Sequence, residues 1–505
     1  SIDQVFIHIN NGEINNDTII YDGYKFIKSI NSVFDVKLNT ISDLIKIKVD
    51  NKYSKKDAEL TYRNLSNLLF FKKIEIDFIE QSDNNKINCH IHLTSPTKMY
   101  YSIEGEVKRS SDEGNIGISS HVQFGNNNLL KGAENLSSKV RISLGNRQAG
   151  FENTNLFNTK ELSYELRLRK PKLMIPKKLN RWLENSFQMS TNFIFAITQK
   201  NRPDFSIQTI TQKLTYQWKS TKKIQHQLNL IEMTFSDIEE NNFISNLITE
   251  NIYLQEQFED KFIPATNYIF TFNNQEIYKV RNYTYLKTKL ETSGNLFQLI
   301  SQIGNLNKNT NDDYVFFNNP FSQYLRFDFD IRRYLMFSKD NVLILRNFIG
   351  SGYAYGNSGK LPIQKQFFSG GVNSIRAWEA FNLGPGSLET TTENNYSTAD
   401  LKLEFNIEYR FIFLNDLKSA LFIDAGNIWT IKQDDRSRGN FQLNNFIDEI
   451  ALGVGVGFRY DFDFFVLRLD IASKLKDPSQ PKGERWVDNP LNRKFQYNLA
   501  IGYPF

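Results

Sequence analysis

The sequence is poor in features that mark several common protein classes. A single cysteine, Cys89, in 505 residues excludes an intramolecular disulfide framework and any multi-cysteine zinc or iron–sulfur site. No run of 18 apolar residues occurs and the mean hydropathy is −0.46, which excludes a helical membrane protein but not a membrane β-barrel. The 61 basic and 56 acidic residues nearly balance, so no nucleic-acid partner is indicated. No apolar signal segment follows Ser1, so we expect the numbering to begin inside a processed or trimmed precursor.

Aromatic residues are abundant instead. Phe, Tyr and Trp make up 14% of the chain against 23% charged residues, which predicts a large folded structure rather than a disordered one. The pattern of the sequence changes near Ser95-Pro96. We therefore expect a domain at 1–96 and a second domain at 97–505.

The first domain mixes helix and strand signals. Ser54 followed by Asp57 is a variant of the helix-capping pattern, and apolar residues recur at helical spacing after it. Alternating residues then predict two strands around the polar turn at 82–85. Further strands are predicted at 5–9 and 24–27, with a short helix at 38–45. This order predicts a small α+β domain.

The second domain is dominated by strands that alternate strictly between apolar and polar residues. One strand places Leu325, Phe327 and Phe329 on one face and charged residues on the other. About sixteen such segments occur, near 98–109, 114–124, 136–146, 160–170, 185–199, 206–218, 224–236, 262–273, 283–293, 321–335, 341–352, 399–411, 418–428, 450–461, 463–474 and 495–505.

Two architectures fit these strands. In a soluble protein of stacked sheets, the polar faces would meet water and the apolar faces would meet each other. In a transmembrane barrel, the apolar faces would meet lipid and the polar faces an interior lumen. Strands of about 11–13 residues are long enough for a bilayer, which a tilted strand crosses with about 9–11 residues. Their length, the even strand number and the alternation of short and long connections favour an all-β transmembrane barrel of about 16 antiparallel strands.

The last segment and one long loop carry the most specific signals. Residues 495–505 place six large residues, from Phe495 to Phe505, on one face, and this strand resembles the assembly signal of outer-membrane barrels. The loop before 399 contains the motif Gly370, Gly371, Ser374, Ile375, Arg376, Ala377 and Trp378. This motif resembles the sixth-loop motif of the BamA/TamA family of outer-membrane assembly proteins.

The resemblance implies roles for particular residues. In that family the loop folds into the barrel lumen, where its arginine meets acids on neighbouring strands. It implies that Arg376 contacts Glu408 and Asp424. The usual glycine after the arginine is replaced by Ala377, which would be unfavourable at a positive φ. The Ala-Trp variant is similar to the Bacteroidota group that includes the lipoprotein form TamL.

The resemblance extends to the first domain and to function. The helix–strand–strand order resembles a periplasmic POTRA domain, and one such domain is visible in a family where three to five are common. The family implies a bacterial outer-membrane location, contact with outer-membrane lipids, unfolded barrel or exported client proteins, and a possible periplasmic or inner-membrane partner of the TamB type. It also implies a weak lateral seam between first and last barrel strands, here Tyr101, Ile103, Gly502, Pro504 and Phe505.

Two other functions share parts of the pattern. A two-partner-secretion pore would use the same fold and arginine, but neither a plug helix nor a second complete POTRA domain is visible. A barrel phospholipase would need a triad, and none of the five histidines lies with a serine and an acid at triad spacing. We therefore expect no enzyme and no catalytic residues.

No cofactor or metal site is predicted. In a strand Cys89 points away from His90 and His92, so these three cannot share one ion and Cys89 is predicted to be a core residue. The alternating Gly453, Gly455 and Gly457 lack the strand-to-helix context of a dinucleotide loop, and are predicted to face a crowded lumen or loop.

Overall fold

Two β-sheets make up most of the protein. The computed structural model describes residues 1–9, 16–29, 36–68, 70–81, 86–94, 98–110, 114–145, 157–176, 178, 183, 186–202, 205–240, 261–276, 279–304, 307–310, 312–316, 319–389, 397–414, 417–432, 436–462, 465–487 and 495–505. A five-stranded sheet lies within residues 2–94, and a sixteen-stranded sheet begins at Met99. Within these residues, no helix combines the length and the apolar character needed to cross a bilayer.

The five-stranded sheet is covered on one face by two helices. Its elements are β1 Ile2–Ile9, β2 Asn16–Tyr21, β3 Tyr24–Ser29, α1 Leu38–Ser42, α2 Lys55–Ser66, β4 Lys73–Glu80 and β5 Ile87–Thr94, with strand order β2-β3-β1-β5-β4. Strand β1 runs parallel to both neighbours, and the outer pairs are antiparallel. The hydroxyl of Ser54 accepts a hydrogen bond of 3.2 Å from the backbone N–H of Asp57, so the predicted cap is confirmed.

Residues on alternate positions of β1 and β5 form the core of this region. Ile7, Cys89, Ile91 and Leu65 of α2 are almost fully buried together. Burial raises the pKa of the Cys89 thiol to about 12, so the thiol is neutral and unreactive. The prediction of Cys89 as a core residue is thereby confirmed.

One strand of this region was not predicted. Strand β2 shows no clear alternation, but it pairs with β3 through a two-residue turn of Asp22 and Gly23. Both turn residues have positive φ, 54° and 78°. An Asp-Gly pair is the sequence typical of such hairpins, so the signal was present in the turn rather than in the strand.

The larger sheet confirms the predicted number and direction of strands. Each strand pairs antiparallel with its sequence neighbour among the sixteen. The strands are β6 Met99–Ser110, β7 Gly114–Asn126, β8 Asn135–Gly145, β9 Thr159–Lys170, β10 Phe187–Asn201, β11 Phe205–Thr221, β12 Ile224–Glu240, β13 Lys261–Asn273, β14 Tyr283–Ser293, β17 Tyr324–Met336, β18 Val342–Ala354, β19 Leu401–Leu414, β20 Leu417–Trp429, β21 Ala451–Asp461, β22 Val466–Lys476 and β23 Gln496–Ile501.

The connection after β14 contains short elements of its own. A helix, α3, spans Asn295–Gly304 and is followed by a small hairpin, β15 Val315–Phe316 and β16 Asn319–Pro320. The sequence pattern predicted only a long connection here.

The distribution of side chains is that of a transmembrane barrel. Apolar residues such as Ile103 and Val140 are 70% and 43% exposed on the outside of the sheet. Charged residues such as Glu408, Arg459 and Asp470 are at most 1% exposed on the inside. A soluble protein of stacked sheets would bury the apolar faces instead. The predicted fold, a membrane barrel preceded by a small α+β region, is confirmed.

The last strand is shorter than predicted. Strand β23 ends at Ile501, and Gly502, with φ of +83°, turns the chain away from the sheet. Phe495, Tyr497, Leu499 and Ile501 face outward as predicted. Tyr503 and Phe505 do not continue that face, because their rings contact lumen arginines as described below. The prediction of a strand to residue 505 was wrong for its last four residues.

The first and last strands of the barrel lie side by side, but among the residues described here no backbone ladder joins β6 to β23.

The N-terminal region and the barrel also contact each other. The N–H of Lys37 donates to the carbonyl of Lys131, at 2.7 Å, and Arg169 donates to the Asn67 side chain, at 2.9 Å. The domain boundary at 96/97 stays a prediction, since residues 95–97 lie outside the described part.

A charge at the centre of an outward face tests the orientation of the barrel. Val140 is at the midpoint of β8 and faces outward. We expect Val140→Arg to destabilise the protein folded in lipid vesicles by about 2–4 kcal/mol, which is the cost of an arginine at the bilayer midplane. Urea titration followed by heat-modifiable gel mobility measures it. Val140→Leu is the control, and equal stability of the two variants would contradict the orientation.

Candidate functional site

The loop between β18 and β19 folds back into the barrel. Its residues Ile375, Ala377 and Trp378 are buried against strand residues such as Phe422 and Ala472. Gly370 and Gly371 have φ of +88° and +92°, which makes the sharp bend at the start of the motif possible. A side chain at Gly370 would also collide with the carbonyl of Glu379. The bend places the following arginine against the lumen wall.

Arg376 is completely buried and makes several charge-assisted hydrogen bonds. Its Nε and Nη2 donate to the two carboxylate oxygens of Asp424, each at 2.9 Å, and its backbone N–H donates to the same carboxylate at 3.1 Å. Its Nη1 donates to Glu408 at 2.6 Å. This bidentate, fork-like geometry is specific to arginine. We call Arg376, Glu408 and Asp424 the arginine latch.

An aromatic ring completes the contacts of the guanidinium group. The Arg376 Cζ atom lies 3.4 Å from the centroid of the Phe422 ring. Phe422 shares the inward face of β20 with Asp424, two residues away, and is buried. An apolar residue on the polar face of this strand is thus explained as a cation–π partner.

The latch is surrounded by further charged residues, which the sequence did not assign to the site. Asp470 lies 3.6 Å from Nη1 of Arg376. Arg410 donates to Glu408 at 2.7 Å, and Arg459 lies 3.3 Å from Glu408 and 3.1 Å from Asp470. Arg468 donates to the Val372 carbonyl of the loop at 3.1 Å. Their only sequence signal was their position on the polar faces of their strands.

The start of the motif is attached to β19. The Asn406 amide donates to the Ser374 carbonyl, at 3.1 Å, and to Asp424, at 2.9 Å. Ser374 hydrogen-bonds Glu404 through its hydroxyl. Lys402 donates to the Phe368 carbonyl at 2.8 Å. Side chains at alternate positions of one strand therefore hold the loop on both sides of its bend.

The replacement of glycine by Ala377 is compatible with this geometry. Ala377 does not have a positive φ, so its Cβ causes no backbone strain. The space it needs is provided by Gly453, where an added Cβ would lie 2.7 Å from that of Ala377. A Cβ at Gly455 would collide with Phe422. The prediction that these glycines face a crowded lumen or loop is confirmed, since Gly453 meets the loop and Gly455 meets a ring of the barrel wall.

The latch also contacts the end of the chain. The Asn498 amide of β23 donates to the carbonyl of Arg376, at 2.8 Å. The Phe505 ring centroid is 5.8 Å from Arg376 Cζ, and the Tyr503 ring centroid is 4.3 Å from Arg410 Cζ. Pro504, which separates these two residues in the sequence, is buried. The predicted seam residues thus divide: Pro504 and Phe505 lie beyond the turn at Gly502 and leave the outward face, whereas Tyr101 and Ile103 face outward.

This arrangement fixes the position of the loop. The carboxylates of Glu408 and Asp424 face guanidinium groups, which neutralise them in the dry interior. Breaking one such contact leaves a buried charge without a partner. The cluster therefore acts as a clamp between the loop, strands β19 to β22 and the end of the chain.

The protein is thus a sixteen-stranded membrane barrel that encloses a loop held by a buried arginine, and this combination places it in the class of outer-membrane barrels. A model of the Omp85 superfamily domain matches residues 124–502, and the chain belongs to this superfamily.

Known proteins support the same fold. The outer membrane protein assembly factor BamA of Neisseria meningitidis serogroup B is 24% identical over 168 residues, which cover 30% of this chain and 21% of that protein. The structure of BamA from Haemophilus ducreyi lacking POTRA domains 1–3 has a TM-score of 0.58 at 11% identity and covers 97% of this chain and 90% of that one. CdiB from Escherichia coli has a TM-score of 0.52 at 9% identity, covering 97% and 80%.

Removing one partner of the latch should free the loop while the barrel still forms. We expect Asp424→Asn to destabilise the folded protein by about 3–5 kcal/mol, because it leaves the buried Arg376 charge only partly compensated. Arg376→Lys should also destabilise the protein, but by less, since lysine keeps the charge and cannot make the bidentate contact. Urea unfolding in detergent and protease cleavage within 367–387 measure the two effects. Arg333→Ala, at an exposed arginine of β17, is the matched control, and a similar loss there would contradict the role of the latch.

Proposed function

We propose that this protein acts in the bacterial outer membrane, where it inserts or exports β-rich client proteins through a lateral seam between β6 and β23. The observation that carries the proposal is that β6 and β23 lie side by side, while the described residues of the two strands form no backbone ladder with each other. This function exchanges backbone hydrogen bonds between strands and requires no covalent bond to be made or broken.

The energetics of the bilayer favour such a seam as a template. An unpaired backbone group in hydrocarbon costs several kcal/mol, so an incoming strand gains by pairing with an exposed edge. Strand β23 pairs with β22 over only six residue pairs, from Leu467–Ile501 to Ala472–Gln496. Pro504 has no N–H to donate, and Gly502 bends the chain inward. The edge is therefore short and weak, and strand addition can extend it.

The latch supports a link between loop and seam. The loop carbonyl of Arg376 accepts a hydrogen bond from Asn498 on the last strand, and Phe505 lies near the same guanidinium group. A movement of β23 during opening would break or shift both contacts. Glu408, Asp424 and the motif residues Gly370 to Trp378 would then hold the loop while the seam exchanges partners.

The region at 1–96 is proposed to be a periplasmic POTRA-type domain. Its sheet has two edge strands, β2 and β4, which offer unpaired backbone groups to an extended client or partner. A partner of the TamB type and a TamL-like role within the family are part of the proposal. The Ala377-Trp378 pair of the loop motif supports the TamL-like assignment.

A protein-export pore of the two-partner-secretion type is the second candidate. The likeness to CdiB concerns the fold, and the same latch would serve a pore whose loop moves out of the lumen. Planar-bilayer conductance of the parent protein distinguishes the candidates, because an export pore should open to ions whenever its loop moves, whereas a seam-based factor with its loop latched should keep a low conductance.

A disulfide across the seam tests the main proposal. We expect Ile103→Cys combined with Leu499→Cys or Ile501→Cys to abolish insertion of a model outer-membrane barrel into proteoliposomes when oxidised, and to restore it on reduction. The buried native thiol of Cys89 should not compete for oxidation.

The control lock joins strands that are already paired. Leu469 and Leu499 are opposite each other on β22 and β23, so Leu469→Cys with Leu499→Cys adds a disulfide without closing the seam. This variant should keep its insertion activity when oxidised. Full activity of the oxidised seam lock would overturn the proposal.

A further inference from the structure

Three histidines lie together on the five-stranded sheet, on the face opposite the two helices. Strands β1 and β5 are parallel neighbours, and their register places His8 beside His92 and Phe6 beside His90. The ring centroids of His8 and His92 are 4.4 Å apart, and those of His8 and His90 are 5.2 Å apart. All three side chains are partly exposed. Residues 82 positions apart in sequence thus form one imidazole cluster.

The ring nitrogens are close enough to share one ion. One nitrogen from each ring lies within 4.8 Å of the other two, and Nε2 of His8 is 2.9 Å from Nδ1 of His90. Metal–nitrogen bonds of about 2.0–2.1 Å require ligand nitrogens roughly 3.4 Å apart in a tetrahedral site. The two nitrogens of the His8–His90 pair lie closer together than this, at 2.9 Å, so side-chain rotations that separate them and bring the His92 nitrogen nearer would complete the ligand set.

Carboxylates on the neighbouring strand complete a suitable environment. Asp77 and Glu75 of β4 are opposite His90 and His92, so they share the face of the histidines. The Asp77 carboxylate is 3.9 Å from Nε2 of His92. A carboxylate beside a ligating imidazole fixes the orientation of the ring, and it can also supply an oxygen ligand.

We propose that His8, His90 and His92 bind a divalent first-row transition metal ion, with Zn²⁺ as the preferred occupant and Asp77 or water as the remaining ligand. Imidazole nitrogen suits Zn²⁺, Cu²⁺ and Ni²⁺, and three such ligands with one open position match a zinc site. The ion would join β1 to β5 at the centre of the sheet. The site is independent of the seam and of the latch in the barrel.

Strand parity excludes a metal site built from Cys89, His90 and His92, which are the residues that sequence spacing brings together. Cys89 does face the other side of the sheet, as expected. The third ligand comes from His8, which strand pairing rather than sequence spacing brings to the cluster.

Titration of the full-length protein with ZnCl₂ tests the proposal. In detergent, with any histidine tag removed, we expect isothermal titration calorimetry to give one equivalent of bound Zn²⁺. His8→Asn or His92→Asn should weaken binding by about a hundredfold or more, since even partners of metal ligands contribute roughly 10–100-fold. His226→Asn, on barrel strand β12, is the matched control and should bind like the parent protein.

A second measurement needs no variant and so is independent of folding defects. Zn²⁺ should protect His8, His90 and His92 of the unmodified chain from diethyl pyrocarbonate, detected by mass spectrometry, while His226 stays reactive. Equal modification with and without Zn²⁺, or undiminished binding in both His8→Asn and His92→Asn, would overturn the metal site.

Discussion

The buried charge of Arg376 is the constraint on which the barrel interior depends. A guanidinium group taken out of water is unfavourable unless carboxylates and hydrogen bonds replace its hydration. Here Asp424 binds it in a bidentate manner, Glu408 and Asp470 lie within ion-pair distance, and the Phe422 ring covers one face. These partners come from three different strands. The loop can therefore occupy its position only when the wall of the barrel is assembled around it.

The same constraint determines local sequence on the wall. Small residues at Gly453 and Gly455 leave space for Ala377 and Phe422. Arg410, Arg459 and Arg468 form further ion pairs with Glu408 and Asp470 around the latch. The inward faces of β19 to β22 are thus specialised for holding one loop. The contact from Asn498 extends this network to the last strand, β23.

Much of the barrel could be predicted because strand alternation is a local property. Each inward or outward residue is fixed by its parity along the strand, so strands such as Leu401–Leu414 were visible in the sequence. The loop motif identified Arg376. Asp470 and Arg459 were not assigned to the site because parity says that a residue faces inward, not at which height or beside which partner. That information depends on the stagger between strands.

Two other features depend on long-range structure. The inward turn at Gly502 follows from contacts of Tyr503 and Phe505 with lumen arginines, and an alternating pattern alone predicts a continued strand. The cluster of His8 with His90 and His92 requires the parallel pairing of β1 and β5. Such pairing joins segments that have no common local signal.

A double-mutant cycle between Arg376 and Asp424 tests the central claim most directly. The unfolding free energies of the parent protein, Arg376→Ala, Asp424→Ala and the double variant are measured in detergent. If the loop is held by this pair, the double variant should be more stable than the sum of the single losses predicts, by about 2 kcal/mol or more, since the second substitution removes an already unpaired charge. Strictly additive losses would contradict the account.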